Sequence, residues 1–170
     1  NLEMAPAPEI VKITLLIKPH QATLVPERRE ELTTEGGLDV ASHKKELLKP
    51  VAELKSAGIQ VSLFVDPDEE QIKASSELGA HAVEINTAAY SEASTEKEAK
   101  KELRRVAAAV ERGIAHGLIV HAGHGLTYRN VGPIASIPGI DELNIGHNIV
   151  ARAVLVGFER AIREMIDAIN

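Results

Sequence analysis

Three times in this chain a glycine closes a helical segment and a short apolar run follows at once. The pairs are Gly58 with Ile59–Val65, Gly79 with Ala80–Asn86, and Gly117 with Leu118–Ala122. Glycine just past a helix is a common stop signal, because it adopts the left-handed conformation without strain. Short apolar strands that alternate with helices pair in parallel through right-handed crossovers. The chain is therefore predicted to be an α/β protein with a parallel sheet.

The same periodicities locate the other elements. Six strands are predicted, at Leu2–Met4, Ala22–Val25, Gln60–Val65, Ala82–Asn86, Leu118–His121 and Glu142–Ile145. Helices are predicted near Ala7–Ile17, His43–Ala57, Asp68–Leu78, Glu96–His116 and Asn148–Ile169, with a shorter one near Asn130–Ile137. Asp66 is expected to cap the third helix, and Thr95 with Glu98 forms a capping box before the fourth. No linker interrupts the pattern, so one domain is expected over residues 1–170.

The bulk composition restricts the class of protein. A length of 170 residues is enough for one sizeable core, and the net charge of −6 argues against general nucleic-acid binding. The chain has no cysteine, so neither disulfide nor thiolate chemistry is available. No apolar run approaches the roughly 18 residues of a membrane span, and the start at Asn1 lacks the pattern of a signal peptide. We expect a cytoplasmic protein without a membrane or nucleic-acid partner.

Chemistry-bearing residues follow the predicted fifth strand. The segment His121–Thr127 holds two imidazoles, two glycines and a hydroxyl, and parallel α/β proteins place their active sites at the carboxyl ends of strands. The glycines let backbone N–H groups approach an anion, and a histidine exchanges a proton near neutral pH. His121 and His124 lie three residues apart on a strand and so point to opposite faces, which disfavours a metal site.

Two acidic residues are candidates for proton transfer. Glu84 and Asn86 share one face of the fourth strand, between the apolar Val83 and Ile85. One interpretation is a buried carboxylate paired to a lysine, and the other is a general base or electrostatic stabiliser whose pKa is tuned by burial. Glu3 ends the first strand, but a terminal acid alone is weak evidence.

Two further segments suggest ligand binding. Gly146 and His147 lie between the sixth strand and the last helix, and with Gly125 they resemble the phosphate cup of the last two units of a β/α barrel. The alternative is a tight turn capped by Asn148. The segment Thr33–Asp39, rich in hydroxyls and glycine, is either a ligand-ordered loop or an ordinary turn.

Several long blocks carry a resemblance to a known family. These blocks, NLEM, LVPERREELTTEGGLDV, AGIQVSLFVD, VEINT, AGHGLTYRN and ELNIGHNIVARAV, are similar in order and spacing to the pyridoxine 5′-phosphate synthase family. The resemblance implies a (β/α)₈ TIM barrel, of which this chain shows about six βα units as its C-terminal three quarters. It implies a homo-octamer that needs no cofactor and no metal. The reaction implied is condensation of 1-deoxy-D-xylulose 5-phosphate with 3-amino-2-oxopropyl phosphate to give pyridoxine 5′-phosphate, phosphate and water.

Residue roles follow from the same resemblance. Glu3 matches the family's proton acceptor, His124 its proton donor and Glu84 an acid that stabilises the transition state. The substrate-binding positions that match are Thr33, Gly125, Gly146 and His147. The chain departs from the family at Asn86–Tyr90, where a His-Thr-Gly-Cys-Tyr run is usual, and at His121, where asparagine is common.

The front of the family pattern has no counterpart in this sequence. The first two βα units are missing from it, and we expect the natural protein to carry roughly 70 more residues that complete the barrel. Two other functions stay open at this point. One is another phosphate-binding barrel aldolase or isomerase, disfavoured because the lysines cluster in helices rather than at strand ends. The other is a non-catalytic or fragmentary barrel that binds ligands without turnover.

Overall fold

One parallel sheet contains six strands, arranged in the order in which they occur along the chain. The computed structural model describes residues 1–26 and 36–170. The strands are β1 Leu2–Met4, β2 Gln21–Leu24, β3 Gln60–Val65, β4 Ala82–Asn86, β5 Ile119–Gly123 and β6 Glu142–Asn144. Because each strand pairs in parallel with the next, every connection crosses over one face of the sheet. The α/β prediction is confirmed, and the arrangement is that of six consecutive units of a β/α barrel.

Eight helices are present in the described ranges. They are α1 Pro8–Ile17, α2 Val40–Ser56, α3 Glu69–Glu77, α4 Ala88–Ser91, α5 Glu96–Ala115, α6 Val131–Ala135, α7 His147–Val156 and α8 Phe158–Ile169. The short α4 was not predicted. The prediction of one helix over Asn148–Ile169 is wrong, because Gly157 takes a φ of 86° and a ψ of 153°, a conformation that no helix contains. Among these helices none is long and apolar enough to cross a membrane.

The helix-terminal signals are largely confirmed. Gly58, Gly79 and Gly117 have φ values of 79°, 82° and 75°, as the left-handed stop requires. Thr95 and Glu98 form the expected capping box at the start of α5. The prediction that Asp66 caps α3 is wrong. That helix begins at Glu69, and Asp66 instead accepts hydrogen bonds from Gly37 before α2 and from Asn86 of β4.

The strand register divides the sheet into an apolar face and a polar face. Residues paired side by side in a parallel sheet point to the same face. One row, apolar and buried against the helices, is Met4, Leu24, Leu63, Val83 and Val120. The alternate positions form the opposite face, which is the interior of the curled sheet, and carry Glu3, Thr23, Ser62, Phe64, Glu84, Asn86, His121, Glu142 and Asn144. The folded chain therefore gathers its polar strand residues on the inner face.

Candidate active site

Glu84 lies at the centre of the polar inner face. Its side chain is only 4 % exposed, and its Oε2 accepts a 2.7 Å hydrogen bond from the Nδ2 of Asn144. Asn144 lies on β6 and Glu84 on β4, so the bond spans the intervening strand β5. The alternative of a carboxylate paired to a lysine does not hold, because none of the six described strands contains a lysine and no described ion pair involves Glu84.

A missing side chain on β5 makes this bond possible. Gly123 pairs with Asn144 on one side and with Asn86 on the other. A Cβ at Gly123 would lie 2.3 Å from Glu84 Oε1 and 3.1 Å from Asn144 Cβ. The carboxylate of Glu84 therefore occupies the space above Gly123, and a side chain at Gly123 would force it to move.

The electrostatic surroundings of Glu84 suit proton exchange. Burial raises the pKa of Glu84 to about 7, the hydrogen bond from Asn144 opposes that rise, and the charges of Glu3 and Glu142 add to it. Both protonation states are thus populated near neutral pH, the condition for a residue that gives and takes protons during one reaction.

Glu3 faces the same interior from the opposite side. It lies on β1, paired with Thr23, and is exposed. Its charge acts on Glu84 from three strands away, which follows from the curl of the sheet. Glu3 and Glu84, the two acidic candidates, therefore both lie on the inner face of the sheet.

His124 follows β5 in a left-handed conformation, with a φ of 81°. Its carbonyl oxygen lies 2.6 Å from the hydroxyl of Thr87. Its imidazole packs tilted against the ring of Phe64, with 6.1 Å between the ring centroids. Phe64 is the register partner of Glu84, so His124 stands over the same part of the inner face as the buried carboxylate.

The loop after His124 is held in place by contacts with the side chains of Asn130, Tyr90 and Ser91. Gly125 has a φ of 72°, and a Cβ there would lie 2.7 Å from the Cβ of Ser91. Asn130 Oδ1 accepts a 2.6 Å hydrogen bond from the backbone N–H of Thr127. The backbone carbonyl of Asn130 in turn accepts a 2.9 Å hydrogen bond from the hydroxyl of Tyr90. The position of Gly125 is therefore fixed from both sides.

Gly146 and His147 begin helix α7. Gly146 is the N-cap residue and His147 the first helical residue, and both are exposed. The expected alternative of a cap by Asn148 does not hold, because no side chain caps this helix. Gly123 pairs with Asn144, so Gly125 and Gly146 occupy matching places at adjacent strand ends. A helix start with free N–H groups beside a glycine loop is a ready anion site.

Thr33 lies outside the described residues. The chain on its C-terminal side is fixed to β3: Gly37 N–H donates to Asp66 Oδ1 at 3.0 Å, and Leu38 N–H donates to the carbonyl of Phe64 at 2.7 Å. Asn86 Nδ2 donates to the same Oδ1 of Asp66 at 2.8 Å. Asp66 thus joins the ends of two strands to the start of α2.

His121 is buried on the inner face, between Glu84 and Glu142 in the register. It is 3 % exposed, and its Nδ1 has no hydrogen-bond partner within the described part of the chain. The described residues hold no cluster of three or more histidine, aspartate or glutamate side chains able to bind a metal ion.

Sequence reasoning missed two residues that support the site, Asn144 and Thr87, and it gave Gly123 and Asp66 other roles than those observed. Asn144 was detectable in principle, since it sits two residues after Glu142 on the face that Glu84 shares. The partnership of Thr87 with the histidine loop has no sequence signal, because the two segments are 37 residues apart.

The whole chain, residues 1–170, matches the model of the family described as "Pyridoxal phosphate biosynthesis protein PdxJ". The chain belongs to the PdxJ family. Relatives include the pyridoxine 5′-phosphate synthases of Syntrophotalea carbinolica, 56 % identical over 170 residues, and of Synechococcus sp., 55 % identical over the same length. Each alignment covers 100 % of this chain and 71 % of the relative.

A distant solved structure supports the fold alone. The Amycolatopsis orientalis BexX/CysO complex aligns with a TM-score of 0.55 and 14 % identity, over 92 % of this chain and 60 % of that one. The region that matches the PdxJ family model includes every site residue described above, because it runs over residues 1–170.

Proposed function

We propose that this protein is a pyridoxine 5′-phosphate synthase. It condenses 1-deoxy-D-xylulose 5-phosphate with 3-amino-2-oxopropyl phosphate and closes the ring to give pyridoxine 5′-phosphate, phosphate and water. The observation that carries this proposal is the match of all 170 residues to the PdxJ family, with relatives of that name at 55 % and 56 % identity. The arrangement of acids and imidazole on the inner face supports it.

The reaction needs repeated proton transfer. An amine and a ketone form an imine, water and phosphate leave, and the ring closes, so protons move to and from carbon, nitrogen and oxygen. In this proposal Glu3, exposed on the inner face, accepts a proton. His124 donates one, and Glu84, with a pKa of about 7, stabilises the charge that develops.

The phosphate groups of the substrates provide orientation. Gly125, Gly146 and His147 bind phosphate in the proposed mechanism, with the start of α7 directing its N–H groups at the anion. Thr33 completes the substrate contacts. Holding both substrates in register turns a bimolecular reaction into a local one, which removes much of its entropic barrier.

The alternatives are not favoured. A Schiff-base aldolase needs a lysine at a strand end, and the described strands contain none. A non-catalytic barrel has no need of a buried carboxylate with a pKa raised to about 7, which lowers stability at neutral pH.

The remaining parts of the proposal concern context. We propose one TIM-barrel domain, a cytoplasmic location, small phosphorylated substrates as ligands, and a homo-octamer. Apolar side chains exposed on α1 and α7 support subunit contacts: Leu16 is 84 %, Val154 82 % and Leu155 78 % exposed. Light scattering on the purified protein gives the oligomeric state.

The decisive test is product formation by the protein expressed from its complete gene. The enzyme is incubated with both substrates, and pyridoxine 5′-phosphate is separated by chromatography while free phosphate is measured. The expected result is one phosphate released per product formed, with neither formed when one substrate is left out. Folded protein that yields no product with both substrates would refute the proposal.

A further inference from the structure

We propose that Asn144 is a positioning residue for the reaction. Its side-chain amide reaches across β5, above Gly123, and holds the Glu84 carboxylate by Oε2, so that Oε1 of Glu84 is the oxygen that exchanges the proton. The inference rests on the proposed function for its kinetic consequences. The structural part concerns the free protein and can be tested without substrate.

The geometry distinguishes the two oxygens of Glu84. Oε2 accepts the 2.7 Å hydrogen bond from Asn144 Nδ2. Oε1 lies over Gly123, only 2.3 Å from the position that a Cβ would occupy. Within residues 1–26 and 36–170, no hydrogen bond to Oε1 is present. Asn144 presents its N–H₂ group to Oε2, and this group is a donor only, so a proton on Oε2 would break the hydrogen bond, whereas a proton on Oε1 leaves it in place. A proton that arrives at Glu84 therefore goes to Oε1.

The neighbouring groups do not replace Asn144. The charged or titratable residues that face Glu84 from other strands are Glu3 on β1, His121 on β5 and Glu142 on β6. His124, in the loop after β5, packs against Phe64 over the same part of the inner face. The two glutamates raise the pKa of Glu84, whereas the amide of Asn144 lowers it. Asn144 is thus the described group that favours the ionised carboxylate.

Two substitutions interrupt the arrangement by different routes. Asn144→Asp keeps the shape of the side chain and replaces the donor with a carboxyl group. Gly123→Ala leaves every polar group in place and puts a methyl group where the carboxylate passes. Asn170→Asp is the control, because the side-chain amide of Asn170 donates to the carbonyl of Ile166 at the end of α8, away from the inner face of the sheet.

The first readout is the titration of Glu84 in the free protein. Infrared spectra are recorded at several pH values for protein labelled with ¹³C-glutamate. Subtracting the spectra of Glu84→Gln leaves the signal of the Glu84 carboxyl, whose change with pH gives its pKa. We expect its pKa to rise in both Asn144→Asp and Gly123→Ala and to stay unchanged in Asn170→Asp. A Glu84 titration that is the same in the wild type and in both folded variants would overturn the proposal.

The second readout is kinetic. Loss of a hydrogen bond to a charged group should lower kcat roughly 10- to 100-fold, with KM within about threefold, and shift the ascending limb of the pH profile to higher pH. A merely structural role would change the melting temperature without moving that limb, and a pH profile that keeps its position refutes the positioning role.

A third readout covers variants that fail to fold. In the wild type, the side-chain ¹⁵N signal of Asn144 should titrate together with Glu84, and in Glu84→Gln it should not. An Asn144 signal independent of Glu84 overturns the inference. If the signals are coupled but the enzyme makes no product, the positioning contact stands and the proposed function fails.

Discussion

The hydroxyl of Thr87 lies 2.6 Å from the carbonyl oxygen of His124 and 2.7 Å from that of Gly123. Thr87 is fully buried, and its backbone N–H also donates to Gly123 at 2.8 Å. These contacts fasten the end of β5 to the segment after β4 at the point where His124 enters the left-handed conformation. A threonine in one βα loop therefore binds the backbone of the next loop at the residue that carries the imidazole.

Replacing Thr87 with valine tests this contact. The change keeps the shape but removes the hydroxyl donor that the carbonyls of His124 and Gly123 share, while the backbone N–H of Thr87 still donates to Gly123. The free energy of unfolding should therefore fall by about 1–3 kcal/mol. Because the loop that carries His124 then loses this contact with the segment after β4, kcat should fall roughly tenfold or more. Urea unfolding and steady-state kinetics measure the two effects. The matched control is Thr14→Val, at a buried threonine of α1 that donates to Ile10; it should cost stability and leave kcat unchanged. Equal kcat values for Thr87→Val and wild type would contradict the prediction.

The raised pKa of Glu84 predicts a pH-dependent stability. Glutamate ordinarily ionises near 4.5, and the folded protein holds the Glu84 proton to about 7. The folded state therefore binds more protons between these values, and ionisation of Glu84 costs stability as the pH rises through them. The full cost, up to about 3 kcal/mol, is present above pH 7.

Glu84→Gln removes that cost. Its free energy of unfolding should exceed that of the wild type at pH 8 and approach it at pH 4.5. Urea unfolding of both proteins at several pH values gives the difference, in which the other titrating groups cancel. A difference that does not change between pH 4.5 and pH 8 would show that Glu84 ionises normally.

Gly37 is expected to tolerate no side chain. A Cβ at this position would lie 2.3 Å from the backbone nitrogen of Asp66 and 2.5 Å from the carbonyl carbon of Val65. Backbone atoms cannot move aside cheaply, so Gly37→Ala should lower the free energy of unfolding by about 1–3 kcal/mol. Its neighbour provides the control, since in the described ranges a Cβ at Gly36 meets only Asp66 Oδ2, at 3.7 Å. Thermal melting of Gly36→Ala and Gly37→Ala compares the two positions. Similar melting temperatures for the two variants would be inconsistent with the close contact at Gly37.

The elements that sequence located best are those whose signals are local. The predicted bounds of β3 and β4 are those observed, because each strand follows a glycine and is buried on both faces. The break at Gly157 was missed because a glycine inside an apolar helical pattern is compatible with a continuous helix. Its conformation depends on how α7 and α8 pack.

The candidate site was predicted in its residue types but not in its contacts. Glu84 was recognised as a polar residue in an apolar strand, and its burial was foreseen as one reading. Its partner Asn144 lies 60 residues away and is reached only through the gap at Gly123. Asp66 was assigned to a helix cap because Asp-Pro commonly starts a helix, whereas the fold uses its carboxylate to bind Gly37 and Asn86. Local chemistry permits both uses, and tertiary contacts select one.

Glu3 and His124, the proposed proton acceptor and proton donor, can be replaced by neutral amides. Glu3→Gln removes a base, and His124→Asn removes a proton donor while keeping a residue that accepts the left-handed conformation. Each should lower kcat by roughly 10²–10⁴-fold with substrate binding retained. His20→Asn, at an exposed histidine before β2, is the control and should retain wild-type activity. Near wild-type turnover by either variant would remove that residue from the mechanism.

The proposed phosphate site predicts a graded effect at Gly146. Among the residues that the structure describes, a Cβ there has no neighbour within 4 Å, and Gly146 does not need a left-handed conformation. Alanine and valine should therefore fold with nearly the wild-type melting temperature. In the bound state the added methyl groups occupy space that a phosphate needs beside the first N–H groups of α7. KM for a phosphorylated substrate should rise in Gly146→Ala and further in Gly146→Val, while kcat changes less. Binding of inorganic phosphate, measured by calorimetry, should weaken in the same order. Unchanged phosphate affinity in Gly146→Val would place the anion elsewhere on the protein.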